Sequence, residues 1–557
     1  MPNHYGGLMQ ILTQKRSHIG ILILSACCLV GTMFPLETNA QSRSQLRFDI
    51  TFPESAHSEP ITGRIYVMIS RSDEREPRLQ ISQTGGTPFF GRDVEGLRPG
   101  QSAFIDETDL GSPVPNLRGI PAGDYFVQAF INIYSEFRRA DGHVVWMHDD
   151  RWEGQSWNIS PGNLYSTVQK IHLDPDQGYN FRLSADQVIP PVSIPADTRW
   201  VKRFRFKSPM LSRFWGCPIY LGATILLPKN YDSEKMHYPV IYQQGHFSLA
   251  APLRFREGGD LHSEWIKDDF PRFIVVTFQH PNPYFDDSYA VNSANVGPYG
   301  DAIMQELIPE IENRFRIIRE PFARILTGGS TGGWEALALQ FFNPDFFGGT
   351  WAYCPDPVTF AGYEGINIYE DKNAFYKQYE WYRVPTSNIR DVFGQVRLTA
   401  EQKNHFELVC GTKGRSGSQM DIWAAVYGPV GEDGYYKPLF DKFTGVIDPE
   451  VAQYWKENYD LLYFLQKNWA TVGPKLVDKL HIFTGDMDTY YLDKAVVLMQ
   501  EWMKTTTDPH YAGYFMYGDR KPHCWIGPVT EAERLKEIAS FILRKKPDGA
   551  TTPWWDY

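Results

Sequence analysis

Cysteine is scarce in this chain, with six residues among 557. Two of the six lie in an N-terminal apolar stretch, and the other four are far apart in the sequence: Cys217, Cys354, Cys410 and Cys524. This sparse spacing excludes a disulfide-dense scaffold, and no CxxC pair or Cys/His cluster has the spacing of a zinc site. We therefore predict no metal. The four separated cysteines could form two disulfides in an oxidising compartment or remain buried thiols.

Positive charge is also in deficit, since the net charge is −11 and the isoelectric point is near 5.7. A surface of this sign has no electrostatic footprint for nucleic acid, so we predict no nucleic-acid partner. No internal repeat is present, which excludes a propeller built from repeated blades. The 42% hydrophobic and 22% charged residues are ordinary for a globular protein, and the length predicts two domains plus extensions. The oligomeric state is not predictable from these features.

Long apolar runs are missing as well, so we expect no stable membrane span in the mature chain. The run at residues 19–34 is short, follows the basic Lys15 and Arg16, and is followed by the small residue Ala40. This pattern predicts a signal peptide over residues 1–40 and an exported protein, either periplasmic or secreted. The alternative is a lipid anchor at Cys27, because Leu24-Ser25-Ala26-Cys27 resembles a lipoprotein signal.

The character of the chain changes along its length. Residues 41–187 contain short β-branched and aromatic runs between Gly/Pro turns, which predicts a β-sandwich-like domain. Residues 188–199 are rich in proline and predict a linker. From residue 200 to 546, apolar strands alternate with helical patterns, as in α/β proteins, with a long insertion at about 355–475. Residues 547–557 are a C-terminal tail. The predicted fold class is thus an α/β sheet domain preceded by an all-β domain.

The most specific motif is Gly328-Gly329-Ser330-Thr331-Gly332, a G-x-S-x-G pattern between a predicted strand and a predicted helix. A serine on such a strand-to-helix turn needs small neighbours, and it projects beside a helix N-terminus. A phosphate-binding loop would want a lysine after the glycines, where this chain has Trp334. We therefore predict that Ser330 is a nucleophile and that the Thr331 N–H is an oxyanion donor.

A serine nucleophile needs a histidine base and an orienting carboxylate, in the chain order Ser, acid, His. His523 follows the last predicted strand, at the carboxyl-terminal edge of the sheet, whereas His510 precedes that strand. Asp486 and Asp488 both follow the preceding strand. Asp488 lies farther into its loop and can reach the loop that holds His523, so Asp488 is the preferred acid.

The second oxyanion donor should come from a loop after an early strand. Residues 238–247, YPVIYQQGHF, supply that loop, and we favour the N–H of Phe247 over its neighbours. His246 in the same loop could instead contact the substrate or have a structural role.

Residues from about 200 to 545 resemble the putative-esterase family, which includes esterase D, feruloyl esterases and enterochelin esterases. The matching stretches are YPVIY, QELIPEIENRFRII and ARILTGGSTGGWEALALQFFNPDFFGG, with looser matches at HIFTGDMDTYYL and GDRKPHCW. The resemblance implies an α/β-hydrolase sheet, no cofactor, and a triad of Ser330, Asp488 and His523. The family's His-Gly after the early strand is Gly245-His246 here, which puts the oxyanion loop in question.

These features predict a serine hydrolase that cleaves small-molecule or glycan-linked carboxylic esters through an acyl-enzyme. A serine peptidase or a sugar acyltransferase on the same fold is the alternative within enzymes, and a non-catalytic glycan-binding protein is the alternative of another class. Substrate-binding residues are unknown from the sequence. We also expect the insertion to cover the pocket with aromatic side chains: Trp381, Tyr382, Trp423, Tyr435 and Tyr436.

Overall fold

A computed structural model of the chain describes residues 45–511 and 513–555. The predicted signal peptide, its cleavage after Ala40 and the alternative anchor at Cys27 lie outside the described residues. Among the described residues, no helix combines the length and the apolar character needed to cross a bilayer.

Residues 45–188 form strands joined by turns, with no α-helix in this described stretch. The strands are β1 Leu46–Thr51, β2 Ile61–Ser70, β3 Phe89–Leu97, β4 Ala103–Asp106, β5 Gly111–Ser112, β6 Gly123–Arg138, β7 Val144–His148, β8 Leu164–Tyr165, β9 Gln169–Leu173, β10 Tyr179–Ser184 and β11 Gln187–Val188. One sheet has the order β10-β1-β4, and a larger one has the order β11-β8-β6-β2-β3-β5, with β7 and β9 also paired to β6. Alternate residues of β1 and β2, such as Phe48 and Ile65, lie in one buried cluster shared by the two sheets.

The second part of the chain contains a mixed eight-stranded sheet in the order β12-β13-β15-β14-β18-β19-β24-β25. Its strands are β12 Val201–Lys207, β13 Tyr220–Leu226, β14 Val240–Gln244, β15 Ile274–Gln279, β18 Arg324–Gly329, β19 Gly349–Tyr353, β24 Leu480–Gly485 and β25 Tyr514–Gly518, with the two-residue strands β16 Asn292–Ser293 and β17 Gly297–Pro298 outside it. Pairing is antiparallel from β12 to β15 and parallel from β15 to β25. The central strands are apolar and almost fully buried, as expected for parallel strands covered on both faces.

Helices connect and cover these strands. They are α1 Pro209–Trp215, α2 Asp260–Trp265, α3 Tyr299–Ala302, α4 Ile308–Arg314, α5 Thr331–Phe342, α6 Ala400–Cys410, α7 Gln419–Tyr427, α8 Pro449–Tyr459, α9 Leu461–Leu476, α10 Asp493–Met503 and α11 Glu531–Lys545. A π-helical turn, Ile303–Leu307, joins α3 to α4. Pro309 lies in the first turn of α4, where its missing N–H costs least. The helical segment from α3 to α4 therefore continues through this proline.

The chain between β19 and β24 is the predicted insertion. It contains helices α6 to α9 and two small hairpins, made of β20 Tyr376–Gln378 with β21 Arg383–Pro385 and β22 Ser387–Arg390 with β23 Val396–Thr399. Because β19 and β24 are neighbours in the sheet, the insertion both leaves and re-enters at adjacent strands.

The strand-rich first part contacts this insertion through polar groups. Arg64 Nε donates to the Val409 carbonyl at 3.0 Å, Arg139 Nη1 donates to the Gly434 carbonyl at 2.7 Å, and Asp93 pairs with Arg415 at 2.7 Å. The described residues accordingly belong to one compact unit. The boundaries predicted at 41–187, 188–199, 200–546 and 547–557 stay a prediction.

Candidate active site

Ser330 occupies a sharp turn between β18 and α5. Its backbone angles are φ 57° and ψ −122°, outside the regions that non-glycine residues normally adopt. Its N–H donates to the Tyr353 carbonyl at 3.0 Å, and its carbonyl accepts from the Asp356 N–H at 3.1 Å, so neighbouring backbone holds the strained turn. The serine hydroxyl is thereby held at the carboxyl end of the parallel sheet, where α/β proteins bind their ligands.

The glycines around Ser330 are required by close backbone approaches. A Cβ on Gly328 would overlap the carbonyl of Gly332, and a Cβ on Gly332 would overlap the carbonyl of Gln244. The end of β14 therefore lies directly against the start of α5, and this contact brings the loop after β14 to the serine.

His523 and Asp488 are joined by a hydrogen bond of 2.7 Å between His523 Nδ1 and Asp488 Oδ2. Asp488 is fully buried in the loop after β24, and its other oxygen, Oδ1, accepts from the N–H groups of Tyr490 at 2.9 Å and Leu492 at 3.3 Å. These bonds fix the carboxylate and leave one oxygen for the imidazole. His523 lies in the loop after β25, the strand next to β24.

Asp486 has a different environment. It is exposed, and its Oδ1 accepts from the Arg520 N–H at 2.7 Å, which ties the loop after β24 to the loop after β25. This contact is typical of a carboxylate that organises a turn.

The serine hydroxyl itself contacts a residue that the sequence did not indicate. Ser330 Oγ donates to Asp356 Oδ1 at 3.2 Å, and among the described residues no hydrogen bond joins Ser330 to His523. Asp356 is buried, and its Oδ2 accepts from Tyr289 OH at 2.6 Å and from Thr331 Oγ1 at 3.1 Å. Burial raises the pKa of Asp356, although the Tyr289 hydroxyl and the charge of His523 oppose that shift.

The sequence did not indicate Asp356 because this residue belongs to no motif. It follows β19 in Tyr353-Cys354-Pro355-Asp356, and only the pairing of β19 with β18 brings it beside Ser330. The one available signal was its position after a strand adjacent to the nucleophile strand.

The two predicted oxyanion donors lie at the start of α5 and in the loop after β14. Thr331 is the first residue of α5, so its N–H has no acceptor within the helix. Phe247 lies in the loop after β14, which the Gln244–Gly332 contact brings to the serine. The Phe247 ring packs edge-on against Trp152 of the strand-rich part, with ring centroids 5.1 Å apart. The first part of the chain thus supports the predicted oxyanion loop.

His246 in the same loop pairs with two carboxylates. Its Nδ1 lies 3.0 Å from Asp286 Oδ1 and 3.1 Å from Asp287 Oδ2. Although desolvation opposes protonation, the two acidic groups raise the pKa of His246 well above its usual value. These two contacts therefore anchor the loop and favour the protonated form of His246.

Within the described part of the chain, two groups of side chains have the spacing to hold a metal ion, with ligand atoms within 4.8 Å of one another. One group is His246, Asp286 and Asp287. The other is Cys354, His523 and Cys524, which shares its histidine with the Asp488 hydrogen bond. Each group combines two adjacent residues with a third that is at least 40 positions away, so the spacing of motifs could not indicate it.

The protonation of His523 depends on its neighbours. Desolvation lowers the pKa of His523, but hydrogen bonds to Asp488 and Cys524 outweigh it and raise the pKa to about 11. The adjacent thiol shifts the other way: its contact with Cys354, opposed by desolvation and aided by His523, lowers the pKa of Cys524 to about 5. With free thiols, these contacts therefore favour the protonated form of the His523 imidazole and the thiolate form of Cys524.

The aromatic residues predicted to line the pocket are divided among different environments. Trp423 is buried, and its Nε1 donates to Tyr289 OH at 2.6 Å, which links it through Asp356 to Ser330. Trp381 and Tyr382 lie on the tip of the β20–β21 hairpin and are 85% and 60% exposed. Tyr435 and Tyr436 are buried against Trp146 and Asp421, respectively.

Comparisons with known proteins give one family match, which includes Ser330 and ends before Asp488 and His523. Residues 219–393 match the family model described as Putative esterase, and the resemblance seen in the sequence is confirmed. No curated protein matches the chain in sequence.

Solved structures of esterases are similar at low identity. A ferulic acid esterase has 14% identity and a TM-score of 0.35, covering 62% of this chain and 96% of its own. An S-formylglutathione hydrolase from Agrobacterium tumefaciens has 13% identity and a TM-score of 0.33, covering 63% and 95%. FphF, a fluorophosphonate-binding serine hydrolase from Staphylococcus aureus, has 13% identity and a TM-score of 0.33, covering 61% and 98%.

Proposed function

We propose that this protein is a carboxylic ester hydrolase that works through an acyl-enzyme on Ser330, with His523 as the base and Asp488 as the orienting acid. The observation that carries the proposal is the 2.7 Å hydrogen bond from His523 to buried Asp488, next to a serine on a strained strand-to-helix turn. The match of residues 219–393 to the Putative esterase family supports the same reaction class.

The first half-reaction begins when the Ser330 hydroxyl leaves Asp356 and turns to His523. The neutral imidazole removes the serine proton as Oγ attacks the ester carbonyl, and the Thr331 N–H stabilises the oxyanion that forms. The imidazolium then returns the proton to the departing alcohol, which leaves the acyl group on Ser330. Asp488 keeps Nδ1–H pointed at itself, so that Nε2 is the nitrogen that accepts the proton.

The second half-reaction uses water as the nucleophile. His523 removes a proton from the water, the second tetrahedral intermediate collapses, and Ser330 is released with the carboxylic acid. A sugar hydroxyl in place of water would give acyl transfer with the same residues. Small-molecule or glycan-linked esters are the substrates we propose, and export through residues 1–40 is part of the proposal.

The test compares Ser330→Ala with Ser82→Ala, which changes an exposed turn serine in the strand-rich part. We expect wild-type protein and Ser82→Ala to hydrolyse p-nitrophenyl acetate and to be labelled by a fluorophosphonate probe. Ser330→Ala should lose labelling and several orders of magnitude in kcat. Retention of most hydrolysis by Ser330→Ala would refute the proposal.

A further inference from the structure

Two cysteines from distant parts of the chain meet beside the histidine. Cys354 follows β19 and is buried, while Cys524 follows His523 and is exposed. Their sulfur atoms are 2.9 Å apart, although 170 positions separate the two residues. A disulfide bond is about 2.05 Å long, so small side-chain rotations that shorten this separation by about 0.9 Å would allow the bond to form.

Cys524 differs chemically from the other three cysteines in the described chain, because burial raises the pKa of Cys354 as well. The contact with Cys354 and the imidazole of His523 favour the thiolate of Cys524, the form that attacks disulfides. Burial raises the pKa of Cys217 to about 11 and that of Cys410 well above 9. Among the described cysteines, an oxidant from solution therefore reacts first with Cys524, whose sulfur already contacts that of Cys354.

We propose that Cys354 and Cys524 form a disulfide that ties the histidine loop to the end of β19, and that this cross-linked form is the active esterase. The inference rests on the proposed function. The oxidant is a disulfide, such as glutathione disulfide or a protein disulfide. Cys524 attacks it and forms a mixed disulfide with release of one thiol, and Cys354 then displaces the second thiol after losing its proton. Two electrons and the single proton of Cys354 leave the pair, and one disulfide of the oxidant becomes a thiol and a thiolate, which takes a proton from water.

The cross-link acts on the base because both sulfur atoms lie within 4.8 Å of a ring nitrogen of His523. A thiolate there stabilises the imidazolium, and an imidazolium cannot accept the serine proton. In the disulfide neither sulfur carries charge, so the pKa of His523 falls. Asp488 and Asp356 remain as the nearby carboxylates, and Tyr490 presents a neutral ring at 4.9 Å.

Formation of the disulfide should shift the pH dependence of activity to lower pH. The base is active only above its pKa, so activity rises with pH through that value. A lower pKa moves the rise to lower pH, and each unit of decrease raises the neutral fraction of His523 at pH 7 about tenfold. For each unit by which the pKa of His523 falls, the oxidised enzyme should therefore be about tenfold more active at pH 7 than the reduced enzyme.

The experiment equilibrates the full chain in oxidised or reduced glutathione and blocks free thiols by alkylation. Intact mass and peptide mapping then test for a Cys354–Cys524 cross-link, a readout that needs no activity. The pH profile of p-nitrophenyl acetate hydrolysis is measured on the same samples, with Ser330→Ala as the blank. An inactive wild-type protein that still forms the cross-link would contradict the proposed function and leave the disulfide established.

Two variants separate the cross-link from the thiolate. Cys354→Ala cannot form the cross-link, and the oxidised buffer can at most leave its Cys524 as a mixed disulfide with glutathione, so peptide mapping should find no cross-linked peptide in either buffer. Cys524→Ser removes the thiolate, so its profile should rise at lower pH and ignore the redox buffer. Cys217→Ser and Cys410→Ala are matched controls and should respond to redox as the wild type does.

Three results would overturn the inference. The first is oxidised protein without the Cys354–Cys524 peptide. The second is a cross-linked enzyme no more active at pH 7 than the reduced one. The third is recovery of activity by a chelator with both thiols still free, which would assign the effect to a metal ion on Cys354, His523 and Cys524.

Discussion

The hydrogen bond between Asp488 and His523 leads to a quantitative prediction for Asp488→Asn. Asp488 is fully buried, and its two oxygens have separate partners: Oδ1 accepts from backbone N–H groups, and Oδ2 accepts from His523. An asparagine can keep the backbone bonds through its carbonyl oxygen and place its amide where Oδ2 was. The fold should therefore survive this substitution.

The amide cannot accept the Nδ1–H of His523. The imidazole must then take the other tautomer, with the proton on Nε2, and it can no longer remove a proton from Ser330. We expect kcat to fall by about three to four orders of magnitude, which corresponds to about 4–5.5 kcal/mol in the activation free energy.

Asp486→Asn is the matched control, because it makes the same chemical change two residues away. The asparagine oxygen can still accept from the Arg520 N–H, and the site is exposed. We expect kcat within a few-fold of wild type and a loss of at most about 1 kcal/mol in the free energy of unfolding. The assay is steady-state hydrolysis of p-nitrophenyl acetate, with urea unfolding of both variants. A severe loss in Asp486→Asn with near-normal Asp488→Asn would refute the assignment.

Two further predictions test the surroundings of the serine. Tyr289→Phe removes a buried hydroxyl that donates to Asp356 and accepts from a tryptophan, so urea unfolding should show a loss of about 1–3 kcal/mol. Tyr427→Phe is the control, because the buried hydroxyl of Tyr427 has no hydrogen-bond partner in the described chain, and it should leave the free energy of unfolding unchanged or raise it. Equal losses in the two variants would contradict the role of the hydrogen bonds around Tyr289. Gly154→Ala and Gly100→Ala each place a side chain at φ near +75° and should each cost about 1–2 kcal/mol. Only the alanine at 154 would lie 2.7 Å from the Phe247 ring, so only it should lower kcat, by about tenfold, and an unchanged kcat would argue against Phe247 as an oxyanion donor.

The strands and helices around Ser330 were predictable because each has a strong local pattern. The short apolar runs at 239–242, 273–278 and 323–327 can be recognised as strands in the sequence, and they correspond to β14, β15 and β18 within two residues at each end. The Gly-x-Ser-x-Gly spacing indicated the turn because close backbone packing excludes residues larger than glycine at positions 328 and 332. The order of acid and histidine indicated a contact between Asp488 and His523, and the structure has that hydrogen bond.

Contacts that depend on strand order were beyond reach of the sequence. Asp356 and Cys354 follow β19, and they meet Ser330 and Cys524 only because β19 lies between β18 and β24. No local pattern encodes that order. The exposed position of Trp381 was not predictable for a different reason, because aromatic composition does not distinguish a hairpin tip from a pocket wall.

The contact between Trp152 and Phe247 has a consequence for how this enzyme could be shortened. The matched segment 219–393 contains Ser330, so a truncated chain that starts at residue 200 would retain the whole of that segment. Such a truncation would strip the ring that supports the loop after β14, and it would expose the Val409 and Gly434 carbonyls that arginines of the first part now cover. Because the strand-rich part and the rest of the described chain belong to one compact unit, we expect a chain that starts at residue 200 to be less stable than the full chain.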